Sequence, residues 1–102
     1  MALAGMQHFV VSLFEGSSKR LVAVFDDGVR VRFGRPGGAT TYVDGATEQK
    51  KAAYLARHGS PLSREDWGPS GRQTAGYLSR WILWGPTRDM KMNIRRLGGT
   101  FE

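Results

Sequence analysis

The chain has 102 residues, of which 40% are hydrophobic and 24% charged; it has no cysteine and a formal net charge of +6, with a sequence pI of about 10.3. That length sets one domain with a single modest core. The absence of cysteine excludes disulfides and a thiolate metal site. No apolar run approaches the roughly 20 residues of a membrane span, and the segment Met1–Met6 lacks the basic and apolar regions of a signal peptide, so the expectation is a protein that is neither membrane-bound nor secreted.

In chain order, residues 8–14 and 20–26 read as strands, separated by the turn signal Glu15-Gly16-Ser17-Ser18. Asp27-Gly28 suits a two-residue type I′ turn into a third strand, Val29–Phe33. Such a turn pairs Asp26 with Val29, Phe25 with Arg30, Val24 with Val31 and Val22 with Phe33. The core face would then be Val22, Val24, Val29, Val31 and Phe33, and the outer face Leu21, Ala23, Phe25, Arg30 and Arg32. Arginines alternating beside an aromatic residue suit a nucleic-acid platform, and equally a solvated sheet face with arginine stems over Phe25. Gly34-Arg35-Pro36-Gly37-Gly38 reads as a plain loop, with an anion-binding nest as the alternative. Ala39–Val43 is a short fourth strand or an extended connection.

Asp44 or Thr47 caps a first helix over about 47–58, closed by Gly59, with Ala52, Leu55 and Ala56 as the buried stripe. Residues 60–73 form a long connection anchored by Trp67. The second helix, about 74–84, is the most apolar part of the chain. Ala75, Leu78 and Ile82 fall on one stripe and Tyr77, Trp81 and Trp84 on the next, while Arg80 emerges on the polar side near Ser79 and Leu83. Gly76 inside it points to close packing against another backbone. Gly85-Pro86 stops this helix. Thr87 caps a third, about 88–97, with Met90, Ile94 and Leu97 inward; Gly98-Gly99 ends it and Thr100–Glu102 is a tail. The fold class is α+β: an N-terminal antiparallel three- to four-stranded β-meander, residues 8–34, packed against two to three C-terminal helices in a single domain, 1–102.

Catalysis needs a positioned acid, base, nucleophile or metal. His8, His58, Asp26, Asp27, Glu65 and Asp66 are the available groups, and none shows a motif partner. The reading therefore assigns no catalytic residue, no metal ligand, no cofactor and no small-molecule substrate. Cations interleaved with aromatics point instead to phosphate contacts. The candidates are Arg30 and Arg32 on the sheet, Lys50, Lys51 and Arg57 on the first helix, and Arg88, Lys91, Arg95 and Arg96 on the last. The competing reading is a protein–protein module that uses Trp67, Tyr77, Arg80 and Trp84, since Trp, Tyr and Arg dominate interface hot spots.

Several segments together carry a resemblance. They are Val31-Arg-Phe-Gly34, Thr40-Thr-Tyr-Val43, Lys50-Lys-Ala-Ala-Tyr-Leu-Ala-Arg-His58, Asp66-Trp-Gly68, Thr74-Ala-Gly-Tyr-Leu-Ser-Arg-Trp-Ile-Leu-Trp84 and Pro86-Thr87. In these the chain resembles a family of small, basic, functionally uncharacterised proteins from large double-stranded DNA viruses of algae and amoebae. It departs from that pattern after Tyr42, where Asp44-Gly-Ala-Thr47 replaces an expected histidine. The resemblance lends no activity. It implies a virion component or a DNA-associated accessory protein, located in the host cytoplasm or nucleus or in the virion. The expected partner is nucleic acid, DNA ahead of RNA, or another virion protein.

Overall fold

Apolar residues alternating along the first third of the chain produce three strands, β1 (Phe9–Leu13), β2 (Leu21–Phe25) and β3 (Arg30–Phe33). A computed structural model describes residues 8–14, 19–35 and 40–102; the turn expected at 15–18 and most of the glycine-rich loop at 36–39 lie outside them. Three helices follow, α1 (Glu48–His58), α2 (Ala75–Leu78, continued by a π turn over Ser79–Leu83) and α3 (Met90–Arg96), and the chain closes with β4 (Gly99–Phe101). The fold is α+β, with the strands in the order β3-β2-β1-β4. No helix among the described residues is long and apolar enough to cross a membrane.

The β2–β3 hairpin is displaced by one residue from the expected register. Leu21 pairs with Phe33, Ala23 with Val31 and Val24 with Arg30. The turn is a three-residue loop, Asp26–Gly28, and not a type I′ pair. Phe25 N donates to Val29 O at 2.9 Å, Gly28 N donates to Phe25 O at 2.9 Å, and Gly28 takes the positive φ of +91°. Asp27 Oδ1 accepts from Val29 N at 3.0 Å and stabilises this loop. Because side chains alternate with period two, the slip turns β2 over. Leu21, Ala23 and Phe25 face the main core and Val22 and Val24 lie on the opposite face, contrary to expectation, with Val22 buried there, Val24 half-buried and Val29 exposed. Val31 and Phe33 face inward as expected, with Arg30 and Arg32 outward. Arg30 therefore lies opposite Val24, not beside Phe25, and the guanidinium of Arg32 sits 4.7 Å from the Phe14 ring.

Of the segment expected as a short fourth strand or an extended connection, the described part, residues 40–43, forms no strand. Tyr42–Asp44 form a 3-10 turn, and the C-terminal residues expected as a tail supply β4 instead, parallel to β1 with Gly99 beside Phe9. The sheet is therefore mixed. Gly99 is required there by space, because a Cβ would stand 2.5 Å from the Phe9 ring. Arg72 donates to Leu97 O at 2.9 Å and His8 Nδ1 lies 2.9 Å from Gly98 O, which fixes the approach to β4.

The core joins the inner sheet face (Phe9, Val11, Leu21, Ala23, Phe25, Phe33) to Leu78, Ile82, Leu83 and Ile94. The tryptophan-rich segment is not one α-helix. Trp84 N donates to Ser79 O at 3.0 Å, five residues back, so the last turn is a π turn. The widened turn brings Leu83 into the core beside Ile82, whereas uniform α-helical spacing would leave it with Ser79 and Arg80 on the polar side. The cap of α3 is Asp89, which accepts from Met92 N, and not Thr87. Thr87 is held instead by the fully buried Asn93. Asn93 Nδ2 donates to Ile82 O at 3.0 Å and to Thr87 O at 2.9 Å, while its Oδ1 accepts from Thr87 N at 3.1 Å and Thr87 Oγ1 at 2.6 Å. One side chain thus ties the end of the π turn to the start of α3 with its full bonding capacity.

Removing that side chain orphans buried polar groups on both elements. Asn93→Ala should lower the unfolding free energy by about 3 kcal/mol, measured by urea denaturation. A change within experimental error would show that these bonds contribute nothing net.

A candidate anion-binding cleft

Thr47 caps α1 by accepting from Lys50 N at 3.0 Å, and Gly59 N donates to Leu55 O at 2.8 Å at its other end. Its buried residue is Tyr54, not the expected stripe: Ala52 and Ala56 are exposed and Leu55 is half-buried. The reason is that α1 reaches the core through a ring contact, not by laying an aliphatic face on the sheet. Tyr54 stacks on Trp84 with centroids 4.2 Å apart and planes 7° from parallel, and on His58 at 4.5 Å. Burial raises the Tyr54 hydroxyl pKa to about 12, with the nearby Glu65 carboxylate adding to the shift.

The 60–74 connection closes over this stack. Glu65 Oε2 lies 2.5 Å from His58 Nδ1, and Glu65 Oε1 accepts from Trp67 Nε1 at 3.0 Å. His58 therefore has a carboxylate partner that no sequence motif indicated. Trp67 is the expected anchor, half-buried, and its carbonyl accepts from Trp81 Nε1 at 3.0 Å. Arg80 is not on a free polar face: its guanidinium lies 4.1 Å from the Trp81 ring and 5.5 Å from the Trp67 ring, and donates to Trp84 O. Gly76 packs against a side chain and not a backbone, since a Cβ there would stand 2.7 Å from Glu65 Oε1.

Between α1, the end of β3 and α2 with its π turn opens a cleft of about 560 Å³. Lys50 and Arg57 line it from α1, Lys19 and Arg35 from the strand ends, with Ser79 and Trp84 below. None of these four cations forms an ion pair among the described residues. The wall that carries Lys19 is braced by its neighbour Arg20, which donates both terminal nitrogens to Asp44, at 2.7 and 2.8 Å. Thr41 N and Oγ1 donate to the same carboxylate. The Arg20 hydrogen bonds, aided by those from Thr41, hold the Asp44 carboxyl well below the usual carboxylate range.

The other expected cations are dispersed. Lys51 and Arg88 lie over the Tyr42 ring at 4.1 and 4.0 Å. Arg88 also donates to Tyr42 O at 3.1 Å and Ala46 O at 2.9 Å, which makes it a brace for the turn before α1. Lys91 and Arg95 line a separate hollow of about 200 Å³ with Thr100 and Phe101. Arg96 is exposed on α3, and Arg30 and Arg32 are on the outer sheet face. Tyr77 is half-buried against Trp81. Of the residues picked from sequence for phosphate contact, the cleft brings together Lys50 and Arg57 and adds Lys19 and Arg35. For Arg35 a signal existed, the nest alternative for the glycine-rich loop; for Lys19 there was none.

Residues 11–58 match the model of a family of unknown function (DUF5754), a stretch that contains all four cleft cations. No curated protein and no solved structure matches the chain.

Two outcomes follow from this geometry. Glu65→Ala removes the partner of both His58 and Trp67 and should cost about 1–3 kcal/mol, with a changed tryptophan emission; an unaltered unfolding midpoint would show that the carboxylate holds nothing. Asp44 has a depressed folded pKa, so its contribution is complete above its unfolded value of about 3.9 and is lost as pH falls toward the folded one. Asp44→Asn should therefore be less stable than wild type at pH 7, and the gap should narrow as pH drops below 4, a trend that acid denaturation at several pH values reads directly.

Proposed function

We propose that the protein is a non-enzymatic module that binds nucleic acid through its phosphates, DNA ahead of RNA, as a viral DNA-associated accessory protein. The observation that carries this is the cleft, where Lys19, Arg35, Lys50 and Arg57 surround one space without acidic partners among the described residues. Contrast Arg20, committed to Asp44, and Arg88, committed to backbone carbonyls. Cations held as braces have their donors already used, whereas those of the cleft, without an ion pair among the described residues, can replace counterions on a phosphate.

The remaining positive charge acts at longer range. With a net charge of +6, Arg30, Arg32, Lys91, Arg95 and Arg96 add to a potential that steers a polyanion toward the protein. The competing role, a virion or capsid-associated interaction module, would call on Trp67, Tyr77, Arg80 and Trp84. All four already pack on or bond to neighbours within the fold, which supports that role less.

Fluorescence-anisotropy titration of a short duplex and a single strand at low and near-physiological salt tests the reading. Lys50→Glu with Arg57→Glu should weaken binding to all sequences about equally and reduce the salt slope by about two. Arg95→Glu with Arg96→Glu should have the smaller effect. Wild-type affinity in the cleft variant would overturn the assignment of the cleft, and absence of binding at low salt would overturn the function itself.

A further inference from the structure

The charge of the cleft says which phosphate it suits, and this step rests on the reading just given. An internal phosphodiester carries one negative charge. Here four cations border one half-open cleft of about 560 Å³, a volume in the range of small-ligand sites. Among the described lining residues one is acidic, Glu65, whose oxygens are occupied by His58 and Trp67. The excess positive charge is more than one backbone phosphate neutralises. A terminal phosphate carries about −1.5 to −2 at neutral pH, and a polyphosphate chain more.

Lys50 and Arg57 are seven residues apart on one side of α1, about 10.5 Å along the axis, with Tyr54 between them as the buried contact. Lys19 and Arg35 approach from the strand ends, so the four cations reach the cleft from two sides, and Ser79 also lines it.

We propose that the cleft takes the terminal phosphate or polyphosphate of a nucleotide unit, and not the internal backbone of a nucleic acid. The nucleotide unit has two sources, the 5′ end of a strand and a free nucleotide, and both offer the same chemistry.

The test uses the full chain and one 3′-labelled single strand carrying a 5′-hydroxyl, a 5′-monophosphate or a 5′-triphosphate, titrated by anisotropy at constant ionic strength. Affinity should rise about tenfold or more from hydroxyl to triphosphate, beyond what the added charge gives a simple polyanion binder. Lys50→Glu with Arg57→Glu, both at exposed positions that leave the core intact, should erase that increment. Competition by free nucleoside triphosphate at concentrations where inorganic sulfate fails identifies the free nucleotide as ligand; a preserved end preference without such competition identifies the strand end. Equal affinity for the three ends overturns this proposal and leaves phosphate-based binding standing. Failure of all three strands to bind overturns both.

Discussion

The contact between Tyr54 and Trp84 is what makes this chain one structure. The sheet, the tryptophan segment and α3 share a continuous apolar core, but α1 contributes only Tyr54 to the buried residues. A parallel stack at 4.2 Å therefore carries the attachment of α1, reinforced by His58 against the same ring and by the Glu65 bridge to Trp67. Lys50 and Arg57 lie one turn before and one after Tyr54, so the ring that seats the helix also sets where its two cleft cations point. Structure and candidate site share one determinant.

Positive charge in this protein is divided between two kinds of work. Arg20, Arg80 and Arg88 lie over rings or bond to carboxylates and carbonyls, and Lys51 is partly buried over Tyr42, where desolvation and the charge of Arg80 lower its pKa. These cations build the fold. A net charge alone cannot separate them from cations that face solvent, which is why counting lysines and arginines named Arg88 and Lys51 alongside Lys50 and Arg57. Separation comes only with the list of what each guanidinium or ammonium already touches.

The α+β class was legible because strand-period and helix-period patterns follow one another cleanly, and Thr47 was among the caps expected for α1. The hairpin register was not. Leu21-Val-Ala-Val-Phe25 is apolar on both faces, so alternation could not choose between them, and Asp-Gly fits a two-residue and a three-residue loop equally well. The partner of β4 was invisible because three residues carry too little pattern, and Gly99 is selected by the Phe9 ring and not by local preference. The His58–Glu65 pair spans an irregular loop, where no periodicity fixes distance. Lys19 entered the cleft for the same reason, through tertiary placement alone.

The π turn over Ser79–Leu83 holds one residue more than an α-helical turn of the same reach. Seen as a record of insertion, that extra residue fixes the length of the segment as firmly as any side chain fixes its identity. Deleting a single residue there would restore an ordinary helix and rotate everything beyond it by about 100°. Trp84 would leave Tyr54, and Leu83 would leave the core, with no change in composition worth noticing. In this stretch the number of residues is constrained along with their identity.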